Sequence, residues 1–503
     1  MARNFQQGHG FSTSILYYDE HFRLSTWPAP QTVFPIGFPI LISALGMLGV
    51  PLRLAAFLIS AAGFMMVPPL ITAAALRMGQ KPTTALLLAM IWLCLPMNWG
   101  NVEESQTDML FTALTLGGFV LLIRPTVTAR QLLLSGLCAA IAFSVRYAGV
   151  FWLMTVGLIF VASILQRQKP AFKHAVQFFV VPVAMVVMLF LRNKMLVGDI
   201  KGGNNYGSGQ SFAFSAMEAY YCLSRITGLD QDALMRGHFA EMLFAAGLII
   251  LICITVPFGR RVHRLDFRSL VALPITLKST APLYVVMSVA TLIWLETTTS
   301  IHLSPRMFFP VIPFALLSAA DLIGRLGAAS KDISILKRRL IPLASGMMVV
   351  GLLAGQTQSA GDVASQIHRY GMVAEIVETP AVGSDGSIEA RQLMADTKIL
   401  TSEPHMLAEY LERGVIGLTE NEYTSQVWTD DAVVSLIRHY GVNQVVFFPD
   451  LPTDDTNPFF RSLRRFEDGH EVRRPWLNPV LVTPRIQIYE VIDGTQPCKL
   501  QCH

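Results

Sequence analysis

Apolar runs near membrane-spanning length recur along the first two thirds of the chain, at about 51–76, 83–98, 107–123, 131–145, 149–166, 174–191, 239–258, 280–298, 307–325 and 340–356. A helix needs roughly twenty apolar residues to cross a hydrocarbon core, so this pattern predicts about ten spanning helices. The runs at 83–98 and 131–145 are short and are expected to continue into their neighbours. Ahead of the first run lies Trp27–Ile40, WPAPQTVFPIGFPI. Four prolines and one glycine there forbid a plain spanning helix. The stretch reads as a rigid turn at the membrane face that leads into a helix over about 36–49, and as a candidate wall of an active site.

After about residue 358 the pattern becomes that of an ordinary soluble domain. KILTS (398–402) predicts a strand, and EPHMLAEYLERG (403–414) a helix closed by Gly414. DDAVVSLIRHYG (430–441) predicts a second helix ending at Gly441, NQVVFFPD (443–450) a second strand, and NPVLVTPRIQIYEVI (478–492) a closing strand or hairpin. The expected organisation is an outer loop and interfacial helix (1–50), a multi-helix membrane domain (51–357) and a small outer α/β domain (358–503). The expected fold class is mainly α, a polytopic transmembrane bundle carrying that α/β domain on its outer face. The domain has no nucleotide fingerprint, and its expected role is to support or cover the membrane site.

Composition agrees: 52% of residues are hydrophobic, 15% are charged, and the mean hydropathy is +0.47, which excludes a soluble globular protein for most of the chain. The net charge of +4 matters through its distribution. Arg77/Lys81, Arg124/Arg130, Arg167/Lys169/Lys173, Arg260/Arg261/Arg264/Arg268 and Arg325/Lys331/Lys337/Arg338/Arg339 fall in alternate loops, which places those five loops in the cytoplasm. Topology explains these cations without nucleic acid. The six cysteines form neither a disulfide framework nor a zinc spacing, and Cys498-x3-Cys502-His503 reads as a loose tail. The same parity puts residues 1–32 outside, with no apolar segment before them. Either 33–49 spans, turning at Gly49-Val50-Pro51, or the natural chain begins upstream of Met1; the second is expected.

The opposite face gathers the unusual polar residues. Arg146, in RYAG between two apolar runs, Arg192 at the end of 174–191, and Arg306 in HLSPRMFFPVIP lie where the charge rule predicts few cations. Each has a simple alternative, snorkelling to the interface. Together they suit phosphate oxygens, which a guanidinium fork binds two at a time. The ligand they imply is a phosphate-bearing lipid. Asp108, with Glu104 one turn earlier, opens a predicted membrane helix; it compensates the helix terminus, binds or deprotonates an acceptor, or organises the site. Asp19 and Glu20 form a second acidic pair, read as a solvated loop pair. GGNNYGSGQ (202–210) lacks the lysine and the strand–helix context of a P-loop and reads as a mobile outer loop.

The segments ARNFQQGHGFST (2–13), PAPQTVFPIGFPIL (28–41), ESQTDMLFTAL (104–114), SGLCAAIAFSVRYAGVFWL (135–153), LRNKMLVGDIKGG (191–203) and LSPRMFFPVIPF (303–314), in this order, resemble the GT-C superfamily of polytopic glycosyltransferases. The resemblance is to the protein mannosyltransferase and aminoarabinose transferase branch, and it covers essentially the whole chain. It implies transfer of a sugar from a polyprenyl-phosphate carrier to a hydroxyl of a lipid, glycan or protein at the outer leaflet, with inversion. It also implies a membrane helix and a catalytic aspartate ahead of the segment matching Ala2–Thr13. This sequence starts after that point, so the natural start is expected upstream, or the chain is an inactive relative. Within this sequence the candidate catalytic carboxylates are Asp108, Glu104 and Asp19. The candidate donor-binding residues are Arg146, Tyr147, Arg306 and Arg192. No cofactor is implied, and no divalent metal is expected because arginines can carry the phosphate charge. The rival classes are a transporter or flippase, against which stands the lack of an internal repeat, and a noncatalytic scaffold. The sequence has no Asn-x-Ser/Thr site, which points to a bacterial inner membrane with the site facing the periplasm.

Overall fold

The computed structural model describes residues 1–13, 28–95, 97–103, 105–124, 127–167, 171–198, 200, 210–227, 277–299, 303–329, 375–378, 381–383, 386–388, 394, 397–411, 414–418, 428–449, 459, 460, 463, 474–483 and 485–492. The predicted spans at 239–258 and 340–356, most of the 202–210 loop and the terminal Cys-x3-Cys-His lie outside these residues. The chain forms two compact units. One contains residues 34–192 and 207–363, and the other 1–33, 193–206 and 364–503.

The first unit is a bundle of apolar helices. In chain order these are α2 (Gly37–Met47), α3 (Leu52–Arg77), α4 (Pro82–Leu93), α5 (Met97–Glu103), α6 (Asp108–Leu122), α7 (Ala129–Val145), α8 (Gly149–Leu165), α9 (Ala171–Val197), α10 (Phe212–Thr227), α11 (Thr280–Thr298), α12 (Pro305–Phe308) and α13 (Ile312–Ala329), following a short α1 (Ala2–Gln6) in the other unit. Among the described residues, four segments are long and apolar enough to cross a membrane: Leu52–Arg77, Ala171–Val197, Thr280–Thr298 and Pro305–Leu322. The protein is therefore a multi-pass membrane protein. α2 has 11 residues, about 16 Å of helix and half a hydrocarbon core. It turns into α3 at Gly49, whose φ of +87° favours glycine.

α6 is the central helix. Of its 15 residues, 11 are buried, including Thr112 and Thr115, whose hydroxyls donate to the carbonyls of Asp108 (2.7 Å) and Phe111 (3.0 Å) inside the helix. Its neighbours approach closely because they present small residues. α3 buries Ser60, Gly63, Val67, Ile71 and Ala74 along one stripe, at the three- and four-residue steps of a helix face. At Gly63 a Cβ would lie 2.6 Å from the backbone nitrogen of Leu110, so α3 and α6 touch backbone to backbone. Below this contact, Trp92, Phe119, Trp152, Tyr284, Phe309 and Phe314 fill the bundle; the ring centroids of Trp152 lie 5.4 Å from Tyr284 and 5.6 Å from Phe314. The predicted span at 307–325 is helical from Pro305 but tightened near its start. A one-turn α12 gives way to a 3-10 turn at Phe309–Val311 before α13 begins. Pro310 and Pro313 lack the N–H groups that would continue the first turn.

The second unit contains a five-stranded mixed sheet built from β5 (Ile399–Thr401), β6 (Ile416–Gly417), β7 (Gln444–Phe447), β8 (Leu477–Val482) and β9 (Gln487–Val491), in the order β6-β5-β7-β9-β8. β5 pairs in parallel with β6 and β7, whereas β7–β9 and β9–β8 are antiparallel. Two helices, α14 (Pro404–Tyr410) and α15 (Asp430–Tyr440), complete the α/β arrangement. α15 begins at Thr429, whose hydroxyl accepts from Ala432 N, and ends at Gly441 with φ +64°, as predicted. α14 stops at Tyr410 rather than running to Gly414. The closing segment is a hairpin, β8 against β9. A hairpin between residues 381–383 (β3) and 386–388 (β4) lies outside this sheet. The N-terminal stretch belongs to the same unit: β1 (Ser12–Thr13) pairs with β2 (Ala29–Pro30), and Ala29, fully buried, sits in the core with Leu400, Leu436, Val445 and Phe447.

Two outcomes follow from this packing. Gly63→Ala should push α3 off the start of α6 and destabilise the protein by about 1–3 kcal/mol, read as a lower melting temperature in detergent, whereas Gly117→Ala, where a Cβ meets open space, should not. Burial pushes the Tyr489 hydroxyl up to about 12, partly opposed by Arg474. The unfolded chain therefore ionises first, and the stability held by Tyr489 should be intact below pH 10 and lost as pH rises towards 12. Tyr489→Phe should flatten that limb of the unfolding profile.

Candidate functional site

Asp108 is the first residue of α6 and is fully buried. A carboxylate so placed in an apolar bundle demands cationic partners, since an isolated buried charge is very costly. It has two, from distant parts of the chain. Arg146 forms an ion pair with Oδ1, and Arg306 Nη2 lies 3.3 Å from Oδ2. Each carboxylate oxygen therefore faces a different guanidinium.

The local sequence explains both arrivals. α7 ends because Arg146 takes extended backbone angles, φ −145° and ψ 130°, while its N–H still bonds to the carbonyl of Ala142. The chain then turns within three residues into α8, with Gly149 N donating to the carbonyl of Arg146 at 2.9 Å. Only glycine fits at 149, where a Cβ would meet the Phe143 backbone at 2.6 Å. The turn aims Arg146 inwards, and its guanidinium lies 6.0 Å from the ring of Phe111, one turn along α6 from Asp108. Gly37 of α2 abuts Ser144, with no room for a Cβ, so α2 packs against α7 two residues before Arg146. Arg306 is carried by the single turn of α12, started by Ser304 and Pro305. Phe308 and Phe309 anchor that turn in the core.

The two arginines are not equivalent. The Arg146 side chain is 17% exposed and the Arg306 side chain 47%. Two guanidinium charges against one carboxylate leave the trio with a net charge of about +1, and the more open donor is Arg306. Such a cluster is suited to an anion that approaches the exposed side of Arg306.

Of the residues expected from sequence, the structure brings together Asp108, Arg146 and Arg306. Tyr147 packs on Phe143, ring centroids 5.6 Å apart, and Arg192 lies within electrostatic reach of Tyr147. Among the described residues the ion pairs of Asp108 are with Arg146 and Arg306. Asp19 and Glu104 lie outside the described residues. The sequence reading passed over Glu296. It is buried near the end of α11, where Oε1 accepts a hydrogen bond from Leu303 N at 3.3 Å. The signal was available, for an acidic residue inside an apolar span is itself a flag.

No protein-family model and no curated protein sequence matches the chain. Solved structures do. ArnT from Cupriavidus metallidurans bound to undecaprenyl phosphate aligns with a TM-score of 0.52 at 13% identity, over 98% of this chain and 92% of ArnT. The apo state of the same protein gives 0.52 at 13% identity, over 97% and 91%. The oligosaccharyltransferase of Archaeoglobus fulgidus, tethered to an acceptor peptide, gives 0.50 at 12% identity, over 87% of this chain and 63% of its own. Over nearly its whole length, then, the chain has the fold of ArnT.

Proposed function

We propose that this protein is a membrane glycosyltransferase that moves a sugar from a polyprenyl-phosphate carrier to a hydroxyl of a lipid, glycan or protein acceptor, with inversion. The site faces the outer leaflet, in the periplasm of a bacterial inner membrane. The observation that carries the reading is the clasp of Asp108 by Arg146 and Arg306 in a chain of this fold. The ArnT structure with undecaprenyl phosphate supports the carrier class.

The acceptor oxygen attacks the anomeric carbon from the side opposite the carrier. The bond from that carbon to the phosphate oxygen breaks, and its electron pair leaves with the lipid phosphate. Negative charge grows on the phosphate as the bond lengthens, which is where preorganised donors accelerate transfer. Arg306, half exposed and anchored at one edge by Asp108, turns its exposed side to that phosphate. Arg146, deeper in the bundle, holds the other side of the carboxylate and adds its field. Asp108 has no exposed surface, so its role is to fix both arginines. The acceptor proton passes to another carboxylate, for which this sequence offers Asp19 and Glu104. Tyr147 and Arg192 border the donor.

The test is transfer of labelled sugar from polyprenyl-phosphate donors in membrane vesicles. Arg306→Ala should lower transfer by about 100-fold or more, the usual loss on removing one charge-stabilising donor, while the protein stays in the membrane at native levels. Native transfer by that variant would overturn the assignment. Asp108→Asn keeps the side-chain shape but takes this counter-charge from the largely buried Arg146 and the half-exposed Arg306. It should destabilise the bundle by about 3–5 kcal/mol and abolish transfer, measured as a lower melting temperature together with lost activity.

A further inference from the structure

Glu296 is the buried carboxylate to which the proposed reaction assigns no part. It stands in the last turn of α11, 1% exposed, in a helix otherwise made of apolar residues, threonines, Ser288 and Tyr284. A charge in that position is costly and is retained where it does something a neutral residue cannot. Its Oε1 accepts a hydrogen bond from the backbone nitrogen of Leu303, seven positions later. Leu303 is itself buried, 8% exposed, and is followed directly by Ser304 and Pro305, which start the helical turn of Arg306. The carboxylate thus ties the end of one spanning helix to the residue that leads into the next, three positions before the guanidinium that reaches Asp108. Arg306 stands in the first turn of the helical run Pro305–Leu322, where backbone groups have no partner earlier in the helix, and the tie to Glu296 supplies a restraint on its approach side.

We propose that Glu296 is a positioning residue, whose hydrogen bond to Leu303 sets where Arg306 stands and hence how it meets the phosphate of the donor. The proposal rests on the reading of Arg306 given above, yet the geometry it asserts is separable from catalysis. Glu296 touches no substrate in this account; it acts through the backbone of Leu303 on Arg306.

The experiment uses the full chain in membranes with two variants. Glu296→Gln keeps a carbonyl oxygen that can accept from Leu303 N. Glu296→Leu keeps the bulk, suits an apolar wall and removes the acceptor. Two readouts are taken. One is the rate at which phenylglyoxal labels Arg306, followed by mass spectrometry. The other is sugar transfer, separated into kcat and KM for the polyprenyl-phosphate donor. The Leu variant should label faster at Arg306 and lose about 10- to 100-fold in kcat/KM, as for a lost hydrogen bond to a charged group, mainly through KM. The Gln variant should restore both to near-native values, which a role in stability through charge alone would not do. Unchanged labelling of Arg306 in the Leu variant overturns the proposal, as does equal damage by Gln and Leu. If the native chain transfers no sugar from any donor while labelling still responds to Leu and not to Gln, the positioning role stands and the glycosyltransferase reading fails. If transfer occurs and neither variant changes it or the labelling, the reading stands and the positioning role fails.

Discussion

A single carboxylate facing two guanidinium groups in a low-dielectric bundle is the constraint on which the rest of this arrangement depends. Asp108 is fully buried, and charges in such surroundings are stable only when paired and well oriented. The pairing fixes three places at once: the start of α6, the turn between α7 and α8, and the one-turn helix that carries Arg306. None can move alone without uncovering a charge. That makes the trio a stiff unit that keeps one arginine half open, a pre-set geometry of the kind that electrostatic catalysis needs.

Close backbone approach is what brings that unit together. Gly63 lets α3 lie against the beginning of α6, Gly37 lets α2 meet α7 at Ser144, and Gly149 folds α8 back against Phe143. In a membrane there is little hydrophobic drive between helices, so packing of this sort carries much of the association. The aromatic cluster around Trp152 and Phe314 fills the bundle core, and through Tyr284 it comes within electrostatic reach of Arg146.

Much of this was legible in the sequence. The helices at 52–77, 108–122, 149–165 and 280–298 follow the apolar runs, because hydropathy over twenty residues is a strong signal. The hairpin at β8–β9 and the cap at Gly441 follow from turn chemistry. Arg146 and Arg306 stood out because the charge rule predicts few cations in their loops. Their meeting at Asp108 was not readable: positions 108, 146 and 306 are joined by tertiary packing alone, and no local pattern encodes it. The 3-10 turn at Phe309–Val311 went unread because apolar composition hid Pro310 and Pro313. Glu296 was overlooked because its meaning lies in a backbone nitrogen seven residues on.

The burial of Ala29 in the core of the mixed sheet has a consequence for the order of folding. Its core neighbours Leu400 and Val445 are made about 370 and about 415 residues later. At roughly 5–20 residues per second, the N-terminal segment waits on the order of twenty seconds to more than a minute for its partner surface to leave the ribosome. During that interval the strand Ala29–Pro30 stays without its final packing while the membrane helices insert. Pro28 and Pro30 limit the conformations open to it over that time, and the second unit closes only after its late strands are made.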